Sequence, residues 1–204
     1  IADKCIMVAK KKYIMNVIDD EGTILLDNPK LKLTGVEAIK SAFPQWSRDY
    51  LKECYKICLS GTQQDLYNLL EKIKAEFESK TPTEISIPTS VNGISKYGDD
   101  EFNPLCGAPI HVKAALSHNR FLIAKNINHI PPLIDGMKIK WIELKQPNPL
   151  RAENIGFDSY FPDEFNELLP YINRPAIFEK SFIAPLRIFL NAIGWNTEEQ
   201  VTLF

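Results

Sequence analysis

The spacing of apolar residues changes at Pro44, and this change constrains the fold more than any other feature. Before it lie three short β-prone runs, at 5–9, 13–18 and 23–26, and Asp20-Glu21-Gly22 supplies a turn between the last two. After it, apolar side chains recur at helical spacing until Gly61: Trp46, Tyr50, Leu51, Cys54, Ile57 and Cys58. The pattern predicts an α+β protein in which a small antiparallel sheet precedes a mainly helical region.

The remaining segments extend this prediction. Thr62 and Asp65 resemble a capping box that opens a second helix with an apolar stripe from Leu66 to Phe77. Residues 81–106 are rich in Pro, Ser, Thr, Gly and Asn, which predicts mostly loop with one β-like run at 84–87. Further predicted elements are a helix at 109–123, a strand at 138–144, a short helix at 162–171, and a last helix at 175–193 that is kinked or broken at Pro185 and stopped by Gly194.

Composition indicates a globular chain. Of 204 residues, 45% are hydrophobic and 25% charged, and no apolar run approaches the roughly 20 residues that span a bilayer. The start lacks the order of a signal peptide, which predicts an intracellular protein whose four cysteines stay reduced as small buried residues. The first residue is not Met and the first segment reads as the middle of a strand, so we expect a fragment of a longer protein.

Charge is distributed unevenly along the chain. The formal net charge is −2, but residues 10–56 carry nine Lys/Arg against seven Asp/Glu, and residues 96–145 carry seven against five. Residues 146–204 carry four against eight. Two weakly basic regions and an acidic end are compatible with binding to nucleic acid.

Two short clusters carry groups suited to a phosphate backbone. Lys10-Lys11-Lys12-Tyr13 is predicted to enter a strand, with Lys11 and Tyr13 on one face and Lys10 and Lys12 on the other. Residues 30–41 alternate Lys with Leu and then turn at Thr34-Gly35, where N–H and hydroxyl groups suit a phosphate. Taken alone, the first cluster is more simply explained as a solvated edge strand.

Other motifs favour structural interpretations. Tyr97-Gly98-Asp99-Asp100 spells the metal-binding turn of viral RNA polymerases, but Pro104 follows where a second central strand is needed. The cysteines lack paired zinc-site spacing, and neither His118 nor His129 accompanies a nucleophile arrangement. At the end of the chain, Gln200 followed by Leu203 and Phe204 has the shape of a short peptide that docks on a sliding clamp.

Taken in order, these pieces resemble the C-terminal part of the replicative family B DNA polymerases of large tailed phages. Residues 11–23 are similar to the family's Lys-x-Tyr segment at the palm edge, and 32–44 to the crossing from palm to thumb. Residues 92–97, 109–111 and 119–120 resemble a thumb loop and helix, and 179–186 the last thumb helix. The resemblance implies a palm edge at 1–43, a thumb at 44–195 and a clamp-binding tail at 196–204.

The family resemblance also implies functional roles. Primer–template DNA is expected to contact Lys10, Lys11, Tyr13, Lys32, Thr34, Gly35, Lys40, Ser41, Asn92, Lys96, Tyr97, His111, Asn119 and Arg120, and the clamp to contact Gln200, Leu203 and Phe204. The family's metal-binding aspartates, nucleotide-binding helix and exonuclease precede Ile1, so this chain is expected to need no cofactor of its own and to be inactive alone. Mg²⁺ would serve the complete polymerase in the cytoplasm of an infected host cell, without a membrane partner.

Two other functions remain open from the residues alone. One is a stand-alone protein-interaction module that does not bind DNA. The other is a hydrolase or metalloenzyme that uses Asp99, Asp100 and His111, which would require tight binding of a divalent metal.

Overall fold

The computed structural model describes residues 1–198 and confirms the predicted α+β class. Its residues form two compact units, which are described separately. The first contains residues 1–79 and 178–198, and the second contains residues 80–177. The boundary predicted between palm and thumb at 43/44 divides the chain by function, whereas these units divide it by compactness. The predicted boundary therefore stays a prediction.

The first unit is built on an antiparallel sheet in the order β1-β2-β5. Its strands are β1 Ala2–Ala9, β2 Lys12–Val17 and β5 Lys30–Thr34, and a small ribbon of β3 Asp19–Asp20 and β4 Thr23–Ile24 joins β2 to β5. Glu21 and Gly22 both have positive φ, which makes the predicted turn at 20–22 a tight hairpin turn. The predicted strand at 23–26 is only two residues long.

Two long helices follow the sheet in the first unit. Helix α1 spans Gln45–Ser60 and α2 spans Gln63–Ser79, as the apolar spacing predicted. The predicted cap at Thr62 is present, because the Thr62 N–H donates to Asp65 Oδ2 at 2.9 Å and the Asp65 N–H donates to Thr62 Oγ1 at 3.2 Å. On the sheet, Ile14 is fully buried and Asn16 Nδ2 donates to Ser60 Oγ at 2.7 Å, so this face of β2 points toward α1.

The last helix of the first unit is preceded by a π-helical stretch. This stretch, Glu179–Ile183, leads into α7, Ala184–Ala192, and helix α6 spans Arg174–Phe178. Aromatic rings hold this segment to α1 and α2, since Trp46 lies 4.8 Å from Phe77 and 5.9 Å from both Phe178 and Phe182, centroid to centroid. Pro185 therefore lies beside a local change of helix type. A π-helical turn is a common place for a break in the series of backbone hydrogen bonds of an α-helix.

A side chain donates to the backbone carbonyl that Pro185 cannot serve. Proline has no N–H, so it cannot be the α-helical donor to the Ser181 carbonyl four residues earlier. The Ser47 hydroxyl, fully buried on α1, donates to this carbonyl. A serine distant in sequence thus ties α1 to the last helix beside Pro185.

We expect Ser47→Ala to lower the free energy of unfolding by about 1 kcal/mol, because a buried hydrogen bond to the Ser181 carbonyl would be lost. Urea unfolding followed by circular dichroism measures the loss. Ser181→Ala is the matched control, since the buried Ser181 hydroxyl has no partner among residues 1–198 and its removal should cost little. Equal losses in the two variants would contradict this assignment.

The second unit packs helices on an antiparallel sheet in the order β6-β7-β8. The strands are β6 Ile87–Ser90, β7 Lys138–Glu143 and β8 Asn154–Phe157, and helix α5 spans Ile110–Ala124. Helix α5 approaches β8 closely at Gly156, where an added Cβ would lie 3.1 Å from the Ala114 carbonyl oxygen. The predicted short helix at 162–171 is a 3₁₀ helix at Asp163–Tyr171.

The segment 81–106 is more ordered than its composition predicts. It contains α3 Pro82–Ile85, β6 and α4 Ile94–Tyr97, so the β-like run predicted at 84–87 begins as a helical turn. Thr81 and Glu84 form a capping box, with the Thr81 N–H donating to Glu84 Oε2 at 2.7 Å. The pairing of β6 with β7 is non-local, which is why composition alone did not reveal it.

Burial divides the cysteines. Cys54 and Cys58 are buried, and burial raises the pKa of the Cys58 thiol to about 12, whereas Cys5 and Cys106 are exposed. The prediction of small buried residues is therefore right for two of the four. No helix within residues 1–198 combines the length and apolar character needed to cross a membrane.

Candidate nucleic-acid interface

Two exposed lysines form the tip of the hairpin between β1 and β2. Ala9 pairs with Lys12, so Lys10 and Lys11 make a two-residue turn, and Lys11 has a φ of 62°. The predicted alternation of Lys10 to Tyr13 along a continuous strand is therefore wrong, because a turn rather than a strand carries the first two lysines. The turn projects both ammonium groups from the end of the sheet.

Gly35 braces this turn from the neighbouring strand. Tyr13 pairs with Thr34 at the end of β5, and the chain then passes beneath the turn at Gly35, whose φ is 65°. A Cβ at Gly35 would lie 2.1 Å from the Lys11 carbonyl oxygen, a distance that no side chain tolerates. The close approach requires glycine and joins the two predicted clusters into one site.

Glu37 organises the lysines behind the turn. Its Oε1 lies 2.9 Å from Lys12 Nζ and 3.1 Å from Lys40 Nζ, and its side chain is only 12% exposed. Burial alone raises the pKa of Glu37, but hydrogen bonds from Lys12 and Lys40 outweigh burial and hold the pKa below its ordinary value. Sequence reasoning missed this role, although Lys40 lies one helical turn after Glu37.

We expect Glu37→Gln to lower stability by about 1 kcal/mol at pH 7, because two ammonium groups would lose their shared carboxylate. The folded-state pKa of Glu37 is depressed, so its contribution is present above the unfolded pKa of about 4.3 and is lost as pH falls through the folded value. Urea unfolding at pH 7 and at pH 3 measures the free energy of unfolding with Glu37 ionised and with Glu37 largely protonated. The difference between the parent and Glu37→Gln should shrink at pH 3, and a constant difference would contradict the ion-pair account.

Two further predicted residues lie on the same part of the first unit. In the ladder between β2 and β5, Tyr13 pairs with Thr34, and Lys32 pairs with Met15 two residues further along. Side chains two residues apart lie on the same face of a sheet. Lys32, Thr34 and Tyr13 therefore share the face opposite Ile14. Lys32 and Ser41 are both exposed. The first unit therefore brings together most of the DNA contacts predicted between residues 10 and 41.

The second unit holds the other predicted contacts around α4 and α5. Asn92 is exposed ahead of α4, Lys96 Nζ lies 4.9 Å from the centroid of the Tyr97 ring, and His111 is half-buried in the first turn of α5. An ammonium above an aromatic face is a grouping that suits contact with phosphate and sugar. These three stay candidates for a DNA contact.

Asn119 has a different role from the one predicted. It is 2% exposed, its Nδ2 donates to the Leu133 carbonyl at 2.9 Å, and its Oδ1 accepts from the Leu133 N–H at 2.7 Å. Both ends of the amide are therefore used inside the fold. A direct contact of Asn119 with DNA does not fit this burial, and we assign it to holding the segment around Leu133.

Arg120 lies beside a basic cleft of about 230 Å³. Its guanidinium donates to Asn103 Oδ1 at 3.2 Å and to the Leu150 carbonyl at 3.0 Å. Lys113 and Arg151 also line the cleft, together with Glu153. Lys113 lies seven residues before Arg120 on α5, so helical spacing in the predicted helix could have indicated it. Arg151 could not be found in this way, because packing brings it to the cleft.

The Tyr97-Gly98-Asp99-Asp100 motif does not form a strand–turn–strand. Tyr97 ends helix α4, and Asp99 Oδ1 accepts the N–H groups of Asn103 at 2.7 Å and Glu101 at 3.0 Å. The hydrogen bonds from Asn103, first from its backbone and then from its side chain, lower the pKa of Asp99. Asp99 thus caps a loop, and within residues 1–198 no three His, Cys, Asp or Glu side chains are grouped to hold a metal ion.

The predicted clamp-binding residues Gln200, Leu203 and Phe204 lie outside the described residues. Their role stays a prediction from the sequence.

Comparison with known proteins identifies the class of protein to which the chain is related. It is 32% identical over 201 residues to the DNA-directed DNA polymerase of Escherichia phage RB69 and 27% identical over 198 residues to that of Enterobacteria phage T4. Each match covers 96% of this chain but only 22% of the relative. No family model matches the chain.

These matches confirm the resemblance found in the sequence. The chain is homologous to a segment of the DNA-directed DNA polymerases of phages RB69 and T4, as expected for a C-terminal fragment of a phage family B polymerase. It spans about a fifth of the length of these relatives, so the activity of a whole polymerase is addressed below as a proposal.

Proposed function

We propose that this chain grips primer–template duplex DNA on behalf of a phage DNA-directed DNA polymerase. The observation that carries the proposal is the braced lysine turn: Lys10 and Lys11 project from a two-residue turn that Gly35 holds in place. The turn fixes the backbone of both lysines, so little backbone freedom is lost when their side chains meet phosphates. Such contacts position a duplex without reading its sequence, which suits a processive polymerase.

The ion-pair arrangement behind the turn supports this role. Glu37 neutralises part of the charge of Lys12 and Lys40, whereas Lys10 and Lys11 have no ion-pair partner among residues 1–198. The unpaired ammonium groups are therefore those nearest the tip. In the second unit, Lys113, Arg120 and Arg151 line one cleft and offer a further set of phosphate-binding groups, although Lys113 Nζ lies 3.7 Å from Glu153 Oε2 in the same cleft.

The rest of the activity belongs to other parts of the polymerase in this proposal. The palm, fingers and exonuclease would supply the Mg²⁺ site and nucleotidyl transfer, and the palm edge at 1–43 and thumb at 44–195 would hold the product duplex. The tail at 196–204 would dock on a sliding clamp in the cytoplasm of the infected cell. The single chain is expected to bind DNA but not to extend a primer.

Charge reversal at the turn tests the proposal. We expect the double substitution Lys10→Glu, Lys11→Glu to weaken duplex binding at least about tenfold at low salt, because two phosphate contacts become repulsions. Fluorescence anisotropy with a labelled primer–template duplex measures the affinity.

The control reverses two lysines on another element. Lys72→Glu with Lys74→Glu on α2 changes the net charge equally, but each of these lysines already pairs with a glutamate of the same helix. Equal weakening by the two double variants would show that only net charge matters and would contradict a DNA site at the turn. Absence of DNA binding by the parent would favour the interaction-module alternative.

A further inference from the structure

A groove with one acidic end crosses the second unit. Two adjoining cavities of about 580 and 380 Å³ share Phe102, Asn119 and Pro132 as lining residues, and we call them together the acidic groove. Both volumes fall within the range of about 300–1,000 Å³ that is typical of ligand sites. Large apolar side chains remain open to solvent along it, with Ile134 60% and Ile123 64% exposed. The two cavities therefore adjoin and expose apolar side chains, and their walls include residues of α4, α5 and the segment around Leu133.

The charges of the groove lie at one end. Asp99, Asp100 and Asp135 line the larger cavity, and no Lys or Arg lines either cavity among the residues that the structure describes. Asp135 is fixed by the Ile94 N–H, which donates to its Oδ1 at 2.8 Å, and Asp99 is fixed by its loop. The smaller cavity is lined by uncharged residues. The result is a preformed surface with an acidic end and an apolar end.

We propose that the acidic groove docks a peptide segment of a partner protein in which two or more basic side chains adjoin large apolar ones. The basic side chains would lie against Asp99, Asp100 and Asp135, and the apolar ones would fill the neutral cavity past Phe102. Complementary charge would set the orientation and the association rate, while burial of the apolar side chains would supply affinity. Two adjoining cavities suit an extended segment with two anchor side chains.

The charge of the groove argues against two other occupants. A nucleic-acid backbone would place phosphates against three carboxylates, which repel it. In the tail of this chain, Glu198 and Glu199 precede the apolar residues. Its carboxylates would therefore be repelled by the carboxylates at the acidic end of the groove. The groove is thus distinct in chemistry from the lysine turn and the basic cleft.

The test uses the full chain, labelled with ¹⁵N, and two acetylated probe peptides that contain Lys-Lys-Leu-Phe-Leu or Leu-Phe-Leu-Lys-Lys. We expect at least one of them to shift the backbone amide signals of Ile94, Phe102 and Ile134. Replacing both lysines of that peptide by Glu should weaken binding at least about tenfold. Ile134→Ser should weaken it about tenfold through lost apolar contact.

Asp100 provides the sharpest variant, because its carboxylate makes no hydrogen bond or ion pair within residues 1–198. Asp100→Asn should weaken peptide binding about two- to fivefold, and Asp163→Asn, an exposed acid outside the groove, should leave it unchanged. Lys10→Glu with Lys11→Glu should also leave it unchanged, so failure of DNA binding and failure of peptide docking are distinguishable.

Two results would overturn the proposal. One is the absence of groove shifts with both peptides, or equal binding of the Lys and Glu forms. The other is a shift of the same amides by duplex DNA together with tighter DNA binding in Asp100→Asn, which would assign the groove to nucleic acid.

Discussion

Replacing Gly35 by Ala should lower the free energy of unfolding by about 3 kcal/mol. Two effects combine at this position. The φ of 65° disfavours any residue with a Cβ, and the Cβ itself would lie 2.1 Å from the Lys11 carbonyl oxygen. The neighbouring atom is backbone, so it moves only if the hairpin turn moves. Urea unfolding of the variant, followed by circular dichroism, measures the loss.

Gly22 offers a control that separates the backbone strain of a positive φ from the steric clash of an added Cβ. Its φ of 92° is also positive, but nothing lies within 4 Å of an added Cβ. Gly22→Ala should therefore cost only about 1 kcal/mol. Because the clash displaces Lys11, Gly35→Ala should also weaken DNA binding, whereas Gly22→Ala should not. Equal costs for the two substitutions would show that the turn is not braced at Gly35.

Replacing Asn119 by Ala should cost about 3 kcal/mol, because it leaves two buried backbone groups of Leu133 unpaired at once. Leu133 is 1% exposed, so water does not readily replace the lost amide. Unfolding in urea measures the cost, and Asn92→Ala, an exposed asparagine of the same unit, should change stability by less than about 0.5 kcal/mol.

The same pair of variants distinguishes structural from direct roles in DNA binding. If Asn119 contacted DNA directly, Asn119→Ala would lose affinity without losing stability. We expect the opposite: a loss of stability with little change in affinity as long as the variant is folded. A stable Asn119→Ala variant with weakened DNA binding would restore the role predicted from the family resemblance.

The helices of the first unit were predictable because their signals are local. The apolar spacing after Pro44 and the cap at Thr62 each depend on residues within one or two turns, so α1 lies within a residue of its predicted bounds and α2 begins directly after its predicted cap. The loss of one N–H at Pro185 predicted a kink or a break, and the structure has a π-helical stretch just before this residue instead. The serine that donates to the Ser181 carbonyl, Ser47, is distant in sequence and could not be foreseen.

The candidate site was predicted in its composition but not in its geometry. Three consecutive lysines carry no turn signal, so the turn at Lys10 and Lys11 was read as a strand. The register of β2 against β5 decides which residues meet, and the approach of Gly35 to Lys11 follows from that register alone. The contact of Glu37 with Lys12 and the place of Arg151 in the cleft were missed for the same reason, since both depend on residues distant in the chain. Lys113 had a local signal, because it lies two turns before Arg120 on α5.

The salt dependence of duplex binding tests the central claim most directly. Anisotropy of a labelled primer–template duplex, titrated with this chain from 50 to 200 mM salt, gives log affinity against log salt. Two phosphate contacts at the lysine turn predict a slope at least as steep as about −1.8, which flattens by about that amount in the Lys10→Glu, Lys11→Glu variant. Binding that ignores salt, or no binding at the lowest salt, would contradict the claim that this chain grips DNA.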